Sequence, residues 1–491
     1  MLALRRSRLL ARHLGSGIKS VGGKRASTSI TKSSVETGLF ATAAAVLTKI
    51  TMATPTTIRL DVRQKPTFYV PGMEDEENAK KASELLQRNH QEHHIFFNRE
   101  GFHNHIVHHI LTLYALGADP AQLQRHYDAN ALYQRPTMPV HESDVEAMSD
   151  PSKFQRYLSD ERHYHDYLVF FQQEMQAKGW QNVVNEYLFA GDERADDLLV
   201  RTFAGFLHPL IHLGFGIEFQ QPAIVAEAMA QAAVHDSWIG KLLVSAEKAA
   251  RVEPPKDGGK TLAALLREIH DDEEVRNAAR WSDGNKIRDG VIARAGARML
   301  SYATQFVVRP QDDVARKTAE MINAAVLFAG AAQRPTKAVK FDFYFIHCVN
   351  ASIFFSAFLR QPWLSDDSKR RLLEWKARLD LAMYASRRAP DLLVDEIVRY
   401  RPRRPGADPI RRALEVDDDG HAAKLVRALC HAKKACEQFD GEPGFEINGD
   451  MWDQLLHMAV DSVEASEPHW VRSAGFDEAW RAVQDRPHAA L

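Results

Sequence analysis

Phe102-His103-Asn104-His105-Ile106-Val107-His108-His109-Ile110-Leu111-Thr112-Leu113-Tyr114 is the stretch on which the reading of this chain turns. Ile106, Ile110, Leu113 and Leu116 recur at helical spacing and Gly117 supplies a stop, so an amphipathic helix is predicted to begin here. Four of the seven residues from 103 to 109 are histidine. His105 and His109 are four apart and should share a face, with His108 on the adjacent edge and His103 pointing elsewhere. One histidine on an apolar face is usually a satisfied core residue. Two neutral imidazoles one turn apart on a core-facing helix have the spacing that a transition metal takes.

Three later stretches repeat the theme. In Phe206–Phe219, Pro209 is tolerated only in a first helical turn, which puts His208 at the helix start and His212 one turn in, on the same face. Their neighbours are apolar, so both should be buried and in need of partners. In Lys337–Val349, Lys340 and His347 lie two turns apart with Tyr344 between them, and the pattern continues to Leu359 at helical length. In Asp417–Leu429, three aspartates stand where a helix N-terminus favours negative charge, and His421 and Lys424 share a face. An earlier cluster, Asn89–His94, also sets His90 and His94 four apart; its composition is more exposed, which suits a structural neighbour of the site better than a ligand set.

No strand-rich region and no internal repeat is visible, so the expected fold is all-α: one large multi-helix domain over residues 75–485 with a histidine-lined core. The clearest internal loops are 252–260 and the Pro/Arg-rich 401–409. A hydrophobic fraction of 45% and a charged fraction of 26% are those of a globular protein able to bury a core. A net charge of -2 over 491 residues, with no basic stripe carrying interleaved aromatics, argues against nucleic acid as a partner. Cys348, Cys430 and Cys436 lack CxxC spacing and leave an odd count, which argues against a disulfide framework and a zinc ribbon. Histidine, at 22 residues, is the compositional oddity.

Residues 1–35 contain no acidic residue and eight basic ones, with frequent serine and leucine. That composition predicts a leader over residues 1–52 of mitochondrial type; a start at Met52 would instead leave the protein cytoplasmic. The apolar run Leu39–Leu47 is too short to span a bilayer and no later stretch is long enough, so the protein is expected to be soluble.

Imidazole-rich, thiolate-free surroundings suit iron, zinc, copper or nickel. The candidate ligands are His105, His109, His208, His212, His347, His421 and Lys424. A di-iron carboxylate bundle would need paired Glu-x-x-His motifs on facing helices, and only Glu100 to His103 has that spacing near the site. A mononuclear site with several histidines and one anion is more natural. Asp418, Asp342 and Glu218 are available as that anion, none cleanly on the histidine face of its own helix. Lys424 is the other candidate: a desolvated lysine loses its charge readily and could serve as a general base, or take up CO2 as a carbamate ligand. No GxGxxG follows a strand, there is no P-loop, and no Gly-x-Ser-x-Gly elbow supports a hydrolase. Phe203-Ala-Gly205-Phe-Leu-His208 resembles part of the fingerprint of flavin Baeyer–Villiger monooxygenases, but it is one residue short and lacks the following Trp.

The wording of these stretches resembles the questin oxidase-like family. The segments that carry the resemblance are Asn89–His94 with Gly101–Gly117, then His208–Phe219, Lys340–His347, Asp418–Leu429 and Trp470-Val-Arg472-Ser-Ala-Gly475-Phe476-Asp-Glu-Ala-Trp480, in order over about residues 80–480. The resemblance implies oxidative ring cleavage of anthraquinones and related aromatic polyketides, of Baeyer–Villiger type, with NADPH as a possible cofactor. The lack of a flavin or nicotinamide fold favours a metal for the chemistry. The expected centre is a mononuclear non-haem iron (Fe2+) held by histidines, with O2 and a small aromatic substrate as partners and Lys424 and Tyr344 as catalytic candidates. The substrate would lie in an aromatic-lined pocket near Phe343 and Tyr344. Two other readings compete: a zinc hydrolase or hydratase on the same histidines, and a non-catalytic helical scaffold in which they are packed core residues. The sequence sets no oligomeric state.

Overall fold

The computed structural model describes residues 52–486. The expected leader therefore falls, apart from Met52, outside the described residues. Among those residues the fold is all-α. The named strands are two short pieces, Phe341–Asp342 and Trp470–Val471, paired in parallel with Phe341 opposite Trp470.

Six helices position the histidines: Glu76–Glu92, Ile106–Ala115, Ala204–Glu218, Pro222–Ala233, Phe343–Leu359 and His421–Cys436. All ten residues of Ile106–Ala115 are buried, as are all twelve of Pro222–Ala233. A helix that is apolar or small on every side must lie inside the protein. Ala204–Glu218 packs against both Pro222–Ala233 and Phe343–Leu359, and His421–Cys436 against Phe343–Leu359 and Ile106–Ala115. Close approach requires glycine at the crossing: a Cβ on Gly214 would stand 2.2 Å from the Phe354 ring. No single helix among the described residues is long and apolar enough to cross a membrane.

The helix starts decide which way the histidines face. Ile106–Ala115 begins one residue after His105, whose φ of -97° and ψ of 1° place it outside the helix as the N-cap. The face rule applied to His105 and His109 therefore fails, because only His109 is helical. Gly205, Phe206 and Leu207 all adopt left-handed backbone, at φ of 52°, 55° and 71°. Right-handed helix resumes at His208, so Pro209 does fall in a first turn. Phe343–Leu359 starts after Lys340, which removes the expected shared face of Lys340 and His347. The Lys340 ammonium is buried and donates to the backbone carbonyls of Ser462 and Ser466, the second at 2.7 Å.

Two of the candidate anions serve the fold. Asp342 caps Phe343–Leu359 through Oδ1, which accepts from the amides of Tyr344 and Phe345, while Oδ2 accepts from those of Ser473 and Ala474 at 2.6 and 2.7 Å. Glu218 accepts from Arg427 at 2.8 Å and from the Thr67 amide at 2.7 Å. Asp342 is satisfied through both oxygens, whereas both Glu218 contacts fall on Oε1 and its buried Oε2 has no partner.

Candidate metal centre

Four imidazoles from four different segments meet in the core. His105 Nε2 lies 2.9 Å from His208 Nε2, and His421 Nε2 lies 3.4 Å from His347 Nε2. The His208 and His347 rings are 4.8 Å apart, and so are those of His105 and His421. Ligand atoms of His105, His208 and His421 fall within 4.8 Å of one another. All four residues are buried.

The other nitrogen of each ring fixes its tautomer. His208 Nδ1 faces the Gly205 carbonyl at 2.5 Å and His347 Nδ1 the Phe343 carbonyl at 2.6 Å. A carbonyl only accepts, so both Nδ1 atoms carry the proton. His105 Nδ1 donates to Asp419 Oδ2 at 2.7 Å, and His421 Nδ1 donates to Asp419 Oδ1. Burial holds the cage imidazoles neutral, with the pKa of His105 and His347 lowered to about 3 and that of His421 to about 4; His208 is also well below its usual value. Desolvation opposes the charge on Asp419, but His421 and His105 overcome it and keep that carboxylate ionised. The Nε2 lone pairs therefore face each other in two pairs, His105 with His208 and His421 with His347, with no proton to share in either. A cation resolves that repulsion, and Nδ1 atoms held by a carboxylate and by backbone carbonyls are how metal-bound histidines are usually oriented. The donor set fits a borderline transition metal such as iron or zinc.

Of the six histidines named from the sequence, these four converge. His109 turns instead toward His126, at a ring distance of 4.8 Å, and Asn130. Gly420 makes that packing possible: a Cβ there would lie 2.6 Å from the His109 ring. His212 is engaged at both nitrogens, with Nε2 on Glu227 at 2.8 Å and Nδ1 facing His108 at 3.2 Å. Glu227 also takes His90 Nδ1 at 2.6 Å; burial alone would raise its pKa, but these two hydrogen bonds hold it at about 2. The 89–94 cluster is less exposed than its composition suggested: His94 is fully buried and its ring accepts from the Phe96 amide. The Asp418 carboxylate accepts from the amides of Gly420 and Ala422, and one of its oxygens lies within 4.8 Å of ligand atoms of Asp419 and His421, at the edge of the cage.

Three contributors were missed. Asp419 sits in a run of aspartates where position alone could not single it out. His103 was expected to point away, yet it stacks on His208 with ring centres 3.8 Å apart. His235, which follows the small-residue helix, meets His103 with their Nε2 atoms 2.8 Å apart. The signal available for His103 and His235 was glycine: a Cβ on Gly205 would lie 2.7 Å from His235 and 3.0 Å from His103.

Lys424 is buried, and burial lowers its pKa to about 8 against the pull of Asp419 and Asp418. It lines a small cavity of about 10 Å³ with Thr112, Asn350 and Arg427. The Thr112 hydroxyl and both polar atoms of the Asn350 amide have no hydrogen-bond partner there. Tyr344 lies apart from the cage, its ring 3.7 Å from the Arg387 guanidinium and 4.7 Å from the Phe206 ring. A cavity of about 140 Å³ lies on the far side of His103 from the cage, lined among others by Phe203, Phe206, Trp238, Met383, His235 and Asn285 and by none of the four cage histidines.

A helical protein with a buried, cation-ready imidazole cage beside an aromatic cavity is the class that fold and site define. Residues 102–429 match the questin oxidase-like family. The chain is 43% identical over 413 residues to the Baeyer-Villiger oxidase ptaJ of Pestalotiopsis fici, covering 82% of this chain and 92% of that protein. It is 41% identical to a questin oxidase of Aspergillus terreus, over 82% of this chain and 92% of the relative. It is 40% identical to the oxidoreductase AflY of Aspergillus parasiticus, over 86% of each. The chain belongs to the questin oxidase-like family.

Proposed function

We propose that this protein is an oxidoreductase that opens a ring of an aromatic or quinone polyketide with O2, by Baeyer–Villiger-type or dioxygenase chemistry, at a mononuclear non-haem iron. The observation that carries the reading is the opposition of Nε2 lone pairs, His105 against His208 and His347 against His421, where no hydrogen bond can form. The names of the relatives supply the reaction class. Iron held there would supply O2 activation and Lewis acidity toward a substrate oxygen.

The residues of the chain do the rest. Asp419 fixes the rings of His105 and His421 together, so that two ligands keep one orientation. The carbonyls of Gly205 and Phe343 do the same for His208 and His347. Phe203, Phe206 and Trp238 offer faces on which a planar substrate can stack, and they keep water from the reacting ring. His235, at the wall of that cavity, has its Nε2 engaged by His103 at 2.8 Å, so a proton exchanged with a substrate phenol would pass through its Nδ1. Lys424, half neutral near pH 8, is the basic group closest in kind to the need for an anionic or base function at the cage. Tyr344, further out beside Phe206, orders Arg387 in place of a direct catalytic role.

The test is elemental analysis of chain purified without chelators, followed by oxygen uptake with hydroxyanthraquinones, with and without NADPH. About one iron per chain, and uptake lost in His208→Ala, is the expected result. Stoichiometric zinc with no oxygen uptake, or a folded metal-free protein that still turns over, would overturn it.

A further inference from the structure

A second site lies outside the core, where the sequence repeats a short pattern: His141-Glu-Ser-Asp144 and His163-Tyr-His-Asp166. Each histidine is the N-cap of its helix, His141 for Glu142–Ala147 and His163 for Tyr164–Lys178, and neither side chain caps that helix. Each aspartate sits one turn in, where the helix dipole favours its ionised form. The two helix starts face each other. His163 Nδ1 lies 2.7 Å and His141 Nδ1 3.0 Å from the same oxygen, Asp166 Oδ2, and His163 Nδ1 lies 3.8 Å from Asp144 Oδ2. One ligand atom from each of the four residues falls within 4.8 Å of the others.

The outer hydrogen bonds of this group are those of a coordination site. Asp166 is buried, and its other oxygen, Oδ1, is held by the His141 amide at 2.7 Å. Asp144 Oδ1 is held by the Tyr157 hydroxyl at 2.9 Å. Each carboxylate is thus anchored through one oxygen and presents the other to the imidazoles, the arrangement that pre-orients metal-bound carboxylates. A tetrahedral ion with bonds of about 2.0–2.1 Å needs ligand atoms about 3.3 Å apart. The recorded distances of 2.7, 3.0 and 3.8 Å bracket that spacing. Two imidazoles and two carboxylates neutralise a divalent charge, and nitrogen donors select a transition ion over magnesium or calcium. His141 is half exposed, which gives the ion an entry path and leaves Nε2–H to water.

We propose that His141, Asp144, His163 and Asp166 bind a divalent transition cation of the zinc class, which ties the short Glu142–Ala147 helix to Tyr164–Lys178. The site is independent of the histidine cage and does not rest on the oxidase reading.

The test uses full-length chain stripped of metal and titrated with Zn2+ by calorimetry and thermal unfolding, and with Co2+ by visible absorption. The wild type should take one more equivalent of Zn2+ than the double variant His141→Ala/Asp144→Asn, and that variant should lose part of the zinc-dependent rise in unfolding temperature. His208→Ala, which alters only the core cage, should keep the outer equivalent and a tetrahedral Co2+ spectrum. His163→Gln, checked for folding by circular dichroism, should lose the outer Zn2+ equivalent. Equal Zn2+ stoichiometry in the wild type and in both outer-site variants would overturn the proposal, whatever the core cage binds.

Discussion

His105 Nε2 and His208 Nε2 stand 2.9 Å apart in the core, each ring with its proton committed to the opposite nitrogen. Packing has driven two acceptors together, and the conflict is relieved by a cation or by protonation. Protonation is held off by burial, which lowers His105 and His347 to about 3 and His421 to about 4.

In the unfolded chain these histidines take up protons near pH 6.5; in the folded, metal-free protein they do so only near 3 to 4. Between those limits the unfolded state binds more protons, so stability is complete above pH 6.5 and is lost as pH falls toward 4. Each such histidine withdraws about 1.4 kcal/mol per pH unit across that window. Urea unfolding of metal-stripped protein at pH 7.5, 6 and 5 should show a falling midpoint, and His347→Gln should flatten the slope. A midpoint independent of pH over this range would refute the burial argument.

Asp419 gives a sharper test, because one carboxylate serves two rings. In Asp419→Asn only the amide oxygen can accept; its NH2 faces the second ring. That ring must turn its bare Nδ1 to the amide and move its proton to Nε2, which then points into the cage. Metal affinity should fall by about 10–100-fold, the usual effect of losing a carboxylate behind a histidine ligand. Chelator competition with Fe2+ or Co2+ measures this, and circular dichroism should show the fold intact. An unchanged affinity would mean that Asp419 does not orient the pair.

How much of this was legible in the sequence depended on what each residue needed from distant parts of the chain. Helical periodicity located the segments, and Pro209 correctly announced a helix start at His208, because a missing amide is tolerated only there. The same periodicity misdirected His105 and His109, since the Ile106–Ala115 helix starts one residue later than the pattern and leaves His105 as a cap. His347 and His421 were recovered because each lies near the start of a helix with apolar neighbours, His421 at its first position and His347 one turn in. Asp419 could not be separated from Asp417 and Asp418, whose spacing to His421 differs by single residues; its role comes from His105, 314 positions away in the chain. Glu227 and His235 were hidden for a related reason, lying in or beside an alanine-rich helix whose polar residues gain meaning only from His212 and His103.

Gly205 should be irreplaceable for two separable reasons. Its φ of +52° is unfavourable for any side chain, and a Cβ would press on both His235 and His103. Gly101 shares a positive φ of +79° but has nothing within 4 Å of where its Cβ would be. Gly101→Ala therefore reports backbone strain alone, about 1–2 kcal/mol for a left-handed alanine. Gly205→Ala should be destabilised further in urea unfolding and should bind metal more weakly, because displacing His103 disturbs the ring stacked on His208. Equal effects of the two substitutions would mean that the crowding relaxes without touching the cage.

Lys424 is where charge and space meet. Burial lowers its pKa to about 8, so the neutral amine is present in quantity near that pH, and only the neutral amine adds CO2. The unpaired Thr112 hydroxyl and Asn350 amide beside it could donate to oxygens that lysine itself lacks. A carbamate on Nζ, which would have to widen a cavity now about the size of one water, would offer oxygens to those donors and add a second anion to that of Asp419 beside the neutral imidazoles. Protein equilibrated with 13C-bicarbonate at pH 8 should then show a carbamate carbon resonance that is absent in Lys424→Arg, and metal content should rise with bicarbonate in the wild type only. Because the amine must first lose its proton, the signal should weaken as pH falls below 8. If no resonance appears while Lys424→Arg still loses turnover, the lysine acts as a base and the pH–rate profile should keep a limb near 8 in the wild type alone; turnover unchanged in the variant would remove Lys424 from the chemistry altogether.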